Sequence, residues 1–130
     1  MPDSKTSVEL KVLLVEDNVT ILNVHKTFLN RIGLIVDTAI TGEQALKKFQ
    51  EYHYPLVLLD GGLAGTDVKE LAIQMRELEK NTVRLRTSFI ILSGYSEELI
   101  NNWCGTTDIN AYAIKPVHPK FLEQLILHYI

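Results

Sequence analysis

The 130-residue sequence predicts an α/β fold in which an open parallel β-sheet is covered by helices on both faces. Five short apolar runs alternate along the chain with five helical patterns, as in a parallel sheet built from strand–helix units. The runs are apolar at nearly every position, which indicates strands buried on both faces. A closed barrel of eight such units would need about 250 residues, so the chain is too short for one.

The five expected strands are short, and each opens one strand–helix unit. They are Lys11–Val15, Leu34–Asp37, Leu56–Leu59, Phe89–Leu92 and Ala111–Ile114. Before the first of them, residues 1–10 are polar and aperiodic, which is typical of a tail or linker. The sequence therefore predicts one domain over residues 11–130, preceded by that tail.

Apolar residues one helical turn apart mark the helices. The first is expected over Val19–Arg31, with Gly33 just beyond it as a C-cap residue. The second is expected over residues 41–52, and Thr66 or Asp67 can cap the third. The residues of the first helix expected to face the core are Ile21, Leu22, Val24, Phe28 and Leu29.

The other three helices lie in the second half of the chain. The third carries an apolar stripe from Val68 to Leu78, and the polar segment Glu79–Ser88 is expected to link it to the fourth strand. A short helix is expected over Ser96–Trp103. The inward stripe of the closing helix consists of Phe121, Leu122, Leu125 and Ile126.

Composition excludes several functional classes. The chain carries 13 basic and 16 acidic residues, a net charge of −3, which provides no electrostatic footprint for nucleic acid or an anionic membrane. The single cysteine, Cys104, cannot form an internal disulfide, which favours a reducing compartment. No apolar run has the length that spans a bilayer and the first residues lack a signal-peptide core, so a cytoplasmic protein is expected.

Polar residues suited to chemistry follow four of the five expected strands. Glu16 and Asp17 follow the first, Asp60 the third, Ser93 the fourth and Lys115 the fifth. In open parallel sheets, ligands bind outside the carboxyl ends of the strands, where the strand order reverses. These side chains are therefore expected to converge on one site.

The residue types of this site favour a metal ion and a phosphoryl group. Three crowded carboxylates repel one another, and a divalent cation would neutralise them. Oxygen ligands without histidine or cysteine favour a hard ion such as Mg²⁺. Lys115 would place a positive charge on one phosphoryl oxygen, and the Ser93 hydroxyl can donate a hydrogen bond to another.

Four segments of the chain resemble the receiver domain of bacterial response regulators and hybrid histidine kinases. They are VLLVEDN at Val12–Asn18, LVLLD at Leu56–Asp60, FIILSG at Phe89–Gly94 and YAIKP at Tyr112–Pro116. The resemblance covers about residues 11–130. It implies a flavodoxin-like three-layer sandwich, with a five-stranded parallel sheet in the order 2-1-3-4-5 and five helices.

The resemblance also implies a role for each matching residue. Asp60 would be the phosphoacceptor, a carboxylate nucleophile that attacks the phosphorus of a phosphohistidine. Mg²⁺ would be bound by Glu16, Asp17 and Asp60, together with the backbone carbonyl of Gly62. The domain would be a phosphorylated switch rather than an enzyme with turnover.

Two further residues would connect this chemistry to a partner. Ser93 and Lys115 would hold the phosphoryl group once it is on Asp60, and Tyr112 would rotate inward as the Ser93 hydroxyl shifts. This would change a surface formed by the last helices and the fifth strand. The implied partners are a histidine kinase or histidine phosphotransfer protein upstream and another protein downstream, without direct contact to nucleic acid or membrane. Homodimer formation is left open.

The loop after Asp60 departs from the family pattern. Ala64 stands where the family usually has proline, and Val68 stands where it commonly has glycine. Three glycines nearby add backbone freedom. A looser loop predicts weaker Mg²⁺ binding or slower phosphorylation.

Several alternatives stay open at this point. The parent protein is either a free-standing response regulator or a hybrid sensor histidine kinase, and the polar tail and the end at Ile130 favour the hybrid kinase. A phosphohydrolase with an aspartate nucleophile is disfavoured because Gly62 stands where such enzymes carry a second aspartate. A pseudo-receiver that only binds proteins is a further alternative.

Two other features are assigned no function. The glycine-rich loop lacks the sequence and position of a nucleotide-binding motif. The histidines show no metal-ligand spacing and are expected on the surface; they are His25, His53, His118 and His128.

Overall fold

The computed structural model describes residues 10–63, 65–81, 86–93 and 109–130. The strands within these ranges are β1 (Lys11–Val15), β2 (Ile35–Ala39), β3 (Leu56–Asp60), β4 (Ser88–Ser93) and β5 (Ala111–Ile114). The helices are α1 (Val19–Arg31), α2 (Gly42–Glu51), α3 (Val68–Lys80) and α4 (Pro119–Tyr129). The helix predicted over Ser96–Trp103 lies outside the described residues, as do residues 1–9 of the predicted tail.

The five strands form one parallel sheet in the order β2-β1-β3-β4-β5, which confirms the predicted topology. The strand order reverses at β1, because the chain adds β2 on one side of β1 and β3 on the other. Val15 pairs with Leu59 across this point. Glu16 and Asp60, the next residue of each strand, therefore emerge side by side at the carboxyl edge of the sheet.

Two cores, one on each face of the sheet, explain why β1, β3 and β4 are apolar at nearly every position. Side chains of a strand alternate between faces, so Val12 and Leu14 point to one face and Leu13 and Val15 to the other. The first pair packs with residues of α1 and α4, and the second with residues of α2 and α3. This arrangement confirms the three-layer sandwich.

Polar caps place the starts of the helices. The side chains of Asn18, Thr41 and Asp67 each accept a hydrogen bond, 3.1 to 3.2 Å long, from the backbone amide three residues later. Asp67, rather than Thr66, therefore caps α3. Gly33 adopts the left-handed conformation, φ +96°, just after α1, as the sequence predicts. In the described ranges, no helix is both long and apolar enough to cross a membrane.

Several predicted boundaries differ from the structure by one or two residues: β2 starts at Ile35, β3 includes Asp60, and β4 includes Ser88 and Ser93. β2 runs two residues further than predicted, because Thr38 and Ala39 continue the ladder with β1. The second helix ends at Glu51, one residue before the predicted end. The predicted linker over Glu79–Ser88 was too long, since α3 continues to Lys80 and Ser88 already pairs with β3.

The predicted apolar stripes were partly wrong. Leu22 and Leu29 of α1 are buried, but Ile21 and Val24 are 36% and 61% exposed. On α4, Phe121 is 50% exposed although its neighbour Leu122 is buried. Helical spacing indicates which residues share a face, but it does not show how wide the buried part of that face is.

A buried arginine ties α3 to the starts of β4 and β5. The Arg76 guanidinium donates hydrogen bonds to Glu79 Oε1 and the Thr87 carbonyl, both at 2.8 Å, and to Asn110 Oδ1 at 3.1 Å. It also lies 4.3 Å from the centre of the Phe89 ring. Asn110 and Phe89 are joined by a hydrogen bond from the Phe89 amide. This network fixes the amino-terminal side of the sheet, opposite the predicted site.

We expect Arg76→Met to lower the free energy of unfolding by about 3 kcal/mol, because it leaves the buried Glu79 carboxylate without its cation. Lys80→Met is the matched control on the same helix. The Lys80–Glu77 pair is exposed, so its loss should cost less than about 0.5 kcal/mol. Urea denaturation measures both, and equal losses would contradict the structural role of Arg76.

Candidate functional site

The carboxyl ends of β1 and β3 bring three carboxylates together. Oxygen atoms of Glu16, Asp17 and Asp60 all lie within 4.8 Å of one another. Glu16 is 2% and Asp60 4% exposed, while Asp17 is half-buried. The predicted convergence of these residues is confirmed by their positions, and it follows from the parallel register of two neighbouring strands.

Lys115 reaches this cluster from the end of β5. Its Nζ atom lies 2.6 Å from Asp60 Oδ1 and 3.6 Å from Glu16 Oε1. The Lys115 backbone amide donates to the Ser93 carbonyl at 2.7 Å, which continues the pairing of β5 with β4. The backbone pairing of β5 with β4 therefore fixes the position of the Lys115 backbone. The Lys115 side chain extends past the end of β4 to reach the carboxylates.

Backbone amides hold the residues after Asp60. The Gly62 amide donates to Asp60 Oδ1 at 3.0 Å, so this oxygen accepts from both Gly62 and Lys115. The Gly61 amide donates to the Leu92 carbonyl at 2.8 Å and extends the β3–β4 pairing. The predicted use of the Gly62 carbonyl as a metal ligand stays a prediction, and Ala64 lies outside the described residues.

The Glu16 carboxyl is in an unfavourable position for a charge. Its Oε2 atom accepts a hydrogen bond of 3.2 Å from the Asn18 amide. Its Oε1 atom is buried and has no hydrogen-bond partner within the described ranges. Burial, and then the neighbouring Asp60 carboxylate, raise the pKa of Glu16 to about 7.

The pKa of the Asp60 carboxyl shifts in the opposite direction to that of Glu16. Burial works to raise the pKa of its carboxyl, but hydrogen bonds and a nearby positive charge outweigh burial and lower the pKa below its ordinary value. The groups responsible are Glu16, Lys115 and the Gly62 amide. Asp60 is therefore ionised at neutral pH and can act as a nucleophile.

The two residues predicted to form the switch lie on β4 and β5. Ser93 ends β4 and is fully buried, one residue beyond the partner of Asp60 in the ladder. Tyr112 lies on β5, is half-buried and packs against the core on the α2 and α3 face. Ser93 is at the carboxyl end of its strand, whereas Tyr112 pairs with Ile91 earlier in the ladder, and the roles of both residues as a switch stay predictions.

The structure also shows a feature that the sequence interpretation missed. His25, predicted to be at the surface, is half-buried, and its Nδ1 atom is buried without a hydrogen-bond partner among the described residues. It lines a groove of about 470 Å³ together with Lys115 and Pro116. Burial, and then the charge of Lys115, lower its pKa. The spacing of His25 from the buried Leu22 and Leu29 was the signal that could have revealed this.

The donor atoms fit a hard divalent cation. The three carboxylates supply oxygen ligands, and histidine and cysteine are absent from this cluster. The buried Glu16 Oε1 atom lacks a hydrogen-bond donor among the described residues and lies 3.6 Å from Lys115 Nζ, so a metal ion would give it a direct positive partner. Lys115 supplies one positive charge to this group of three carboxylates.

Comparison with known proteins identifies related sequences of two kinds. The family model described as the response regulator receiver domain matches residues 12–127. The transcriptional regulatory protein ResD of Bacillus subtilis is 31% identical over 86% of this chain and 44% of ResD. The autoinducer 2 sensor kinase/phosphatase LuxQ of Vibrio vulnificus is 29% identical over 98% of this chain and 14% of LuxQ. The chain thus spans less than half the length of either relative.

A solved structure shares the fold. The crystal structure of the response regulator protein TrrA from Thermotoga maritima, in complex with Mg²⁺–BeF, matches with a TM-score of 0.79. The two sequences are 28% identical, and the match covers 93% of this chain and 99% of the TrrA chain. The predicted sheet order and layer arrangement are those of a known receiver structure.

The raised pKa of Glu16 predicts how stability depends on pH in metal-free buffer. A carboxyl whose pKa rises from 4.5 to about 7 on folding favours the folded state only while it is protonated. Relative to Glu16→Gln, the wild-type protein should therefore lose up to about 3 kcal/mol of unfolding free energy between pH 5 and pH 8.

Urea denaturation of both proteins at these two pH values, with a chelator present, measures this difference. Glu16→Gln keeps the size of the side chain and the acceptor for the Asn18 amide, so it isolates the titrating group. A stability difference that does not change with pH would contradict the predicted protonation of Glu16.

Proposed function

Because this chain belongs to the response regulator receiver domain family of two-component signalling, we propose that it accepts a phosphoryl group on Asp60 with Mg²⁺ bound beside it. One observation carries the proposal. A buried and ionised carboxylate, Asp60, lies at the centre of an acidic cluster and contacts Lys115 Nζ at 2.6 Å. This arrangement combines a nucleophile, a metal-binding group and a cation for a phosphoryl oxygen.

Asp60 would act as the nucleophile in phosphoryl transfer. A carboxylate oxygen of Asp60 forms a bond to phosphorus as the bond from phosphorus to the donor nitrogen of a phosphohistidine breaks. The leaving imidazole takes the electron pair of that bond and acquires a proton from solvent. The lowered pKa of Asp60 supports this role, because a carboxylate must be deprotonated to attack.

The residues that would hold Mg²⁺ are Glu16, Asp17 and Asp60, with the Gly62 carbonyl as a further ligand. When bound, the ion would neutralise the carboxylates and stabilise charge on the phosphoryl oxygens. The TrrA structure, which was obtained in complex with Mg²⁺–BeF, supports this choice of metal. Glu16 would lose its proton on metal binding, so we expect Mg²⁺ affinity to rise with pH through about 7.

Lys115 and Ser93 would then hold the product. The Lys115 amine lies close enough to Asp60 to pair with a phosphoryl oxygen on it, and the Ser93 hydroxyl would donate a hydrogen bond to another. The hydrogen bond from the Lys115 amide to the Ser93 carbonyl couples the two residues through the backbone. Movement of Ser93 would therefore reach β5 and, through it, Tyr112.

The surface that responds would lie on β5 and α4. Ile114 and Phe121 are 40% and 50% exposed and line a groove of about 460 Å³ with Tyr112 and Pro116. Exposed apolar side chains beside the switch tyrosine suit contact with another protein. We assign the downstream partner to this groove, and a second copy of the chain is the other candidate for it.

The phosphodonor would be a histidine kinase or a histidine phosphotransfer protein, and the setting would be the cytoplasm. We assign the domain to a hybrid sensor histidine kinase. The similarity to LuxQ, which extends over 98% of this chain, supports that parent. The similarity to ResD keeps a response regulator as the alternative, and the length of the native gene product decides between them.

We predict that acetyl phosphate and Mg²⁺ add one phosphoryl group to the protein and that Asp60→Asn abolishes the addition. Intact-protein mass spectrometry measures the adduct. Asp37→Asn is the matched control, because Asp37 is a partly buried aspartate on β2 that accepts a hydrogen bond from Tyr54, away from the cluster. It should be labelled like the wild type.

The same incubation distinguishes the alternatives. A stable adduct on Asp60 that requires Mg²⁺ supports the switch, whereas rapid release of phosphate over many turnovers would indicate a phosphohydrolase. Absence of labelling at Asp60 in the wild-type protein would contradict the proposed function and favour a module that only binds proteins.

A further inference from the structure

We propose that Gly61 is a positioning residue, whose lack of a side chain leaves the Ser93 hydroxyl the space it needs to reach the phosphoryl group on Asp60. The proposal rests on the function proposed above for Ser93. Gly61 directly follows Asp60, and its backbone amide joins the β3–β4 pairing at the Leu92 carbonyl. It therefore lies between the acceptor carboxylate and the end of β4.

The space beside Gly61 is occupied by Ser93. A Cβ atom built on Gly61 would lie 3.0 Å from Ser93 Cβ, 3.1 Å from Ser93 Oγ and 3.3 Å from Ile91 Cγ2. All three distances are tighter than most contacts that Cβ atoms make in proteins, and the two to carbon are below the usual carbon–carbon distance of about 3.5–4.0 Å. Any side chain at position 61 would therefore press on the hydroxyl-bearing carbon of Ser93.

The neighbours of Gly61 have little freedom to move away. Ser93 and Ile91 are both fully buried. The Ser93 carbonyl accepts a 2.7 Å hydrogen bond from the Lys115 amide, and Ser93 pairs with Ile114 in the ladder. Because β4 is held between β3 and β5, a clash at Ser93 would shift its hydroxyl or pull on the backbone of Lys115.

Space, and not backbone conformation, explains the glycine at position 61. Gly65 has φ +69°, a conformation that favours glycine, whereas Gly61 has no such positive φ. Among the described residues, a Cβ atom on the next residue, Gly62, would meet Asp60 Oδ1 at an ordinary distance of 3.7 Å. Of these neighbouring glycines, Gly61 alone is packed against Ser93.

A small shift of Ser93 would matter because a binding site must hold its groups within about 0.5 Å of the productive geometry. To relieve the clash with a Cβ atom at position 61, Ser93 would have to move by a few tenths of an ångström, which is most of that tolerance. A purely structural glycine would affect stability alone. A positioning glycine would affect the binding of a phosphoryl group through the hydroxyl of Ser93.

The test is a double-mutant cycle with beryllofluoride, a tetrahedral phosphoryl mimic, titrated into the 130-residue protein at saturating Mg²⁺. We expect Gly61→Ala and Ser93→Ala each to weaken its binding about tenfold, the usual effect of one lost hydrogen bond to a charged group. In the Gly61→Ala protein, Ser93→Ala should add nothing further, because the hydroxyl is already misplaced. Additive losses, or unchanged binding by Gly61→Ala, would overturn the proposal.

Gly42→Ala is the matched control. A Cβ atom on Gly42 would also approach a hydroxyl residue at 3.0 Å, but that residue is Thr66, which precedes α3 and is not a member of the acidic cluster. Gly42→Ala should bind beryllofluoride like the wild type. If the wild type itself does not bind it, the proposed function fails; a defect confined to the position 61 and 93 variants supports the positioning role.

If Gly61→Ala does not fold, a second pair of variants tests whether contact with Ser93 is the reason for the glycine at position 61. Ser93→Gly removes both atoms that the new Cβ would approach most closely, so Gly61→Ala with Ser93→Gly should fold and melt at the same temperature as Ser93→Gly alone. A double variant that is as unstable as Gly61→Ala would show that Ser93 does not determine the glycine at position 61.

Discussion

The close approach of three carboxylates, two of them buried, at the carboxyl edge of the sheet is the constraint on which the rest of this structure depends. Glu16 and Asp60 are almost fully buried, and the Lys115 amine lies 3.6 Å from Glu16 Oε1 and 2.6 Å from Asp60 Oδ1. Two negatively charged carboxylates with oxygens within 4.8 Å of each other repel strongly when water is excluded. The two carboxyls therefore differ in behaviour: Asp60 keeps its charge, while Glu16 holds a proton near neutral pH.

The same constraint connects the fold to signalling. The carboxyl ends of parallel strands all lie at one edge of the sheet, so charged residues that are far apart in sequence interact with one another there. A phosphoryl group would add negative charge to a site already short of positive charge. Lys115 and Ser93 are joined by a backbone hydrogen bond, so a response at the site would pass into β4 and β5. The opposite edge stays fixed by the network around Arg76.

Much of this arrangement could be predicted from the sequence because four of the five strands are largely apolar runs followed by a distinctive polar residue. Contacts between distant residues could not be predicted in this way. Arg76 meets Asn110, 34 residues away. Helical spacing could have indicated that His25 is half-buried, but no local pattern indicates that it shares a groove with Lys115. The exposure of Val24 depends on how α1 sits on the sheet. The close approach of Gly61 to Ser93 depends on the register between two strands.

The most direct test of this account is carbon NMR of the Glu16 carboxyl as a function of pH, with and without Mg²⁺. Without metal, the account predicts a titration near pH 7, far above the ordinary value of 4.5. With saturating Mg²⁺, the carboxyl should stay ionised across the neutral range, because the cation takes the place of the proton. An ordinary titration near pH 4.5 in the metal-free protein, unaffected by Mg²⁺, would contradict the account.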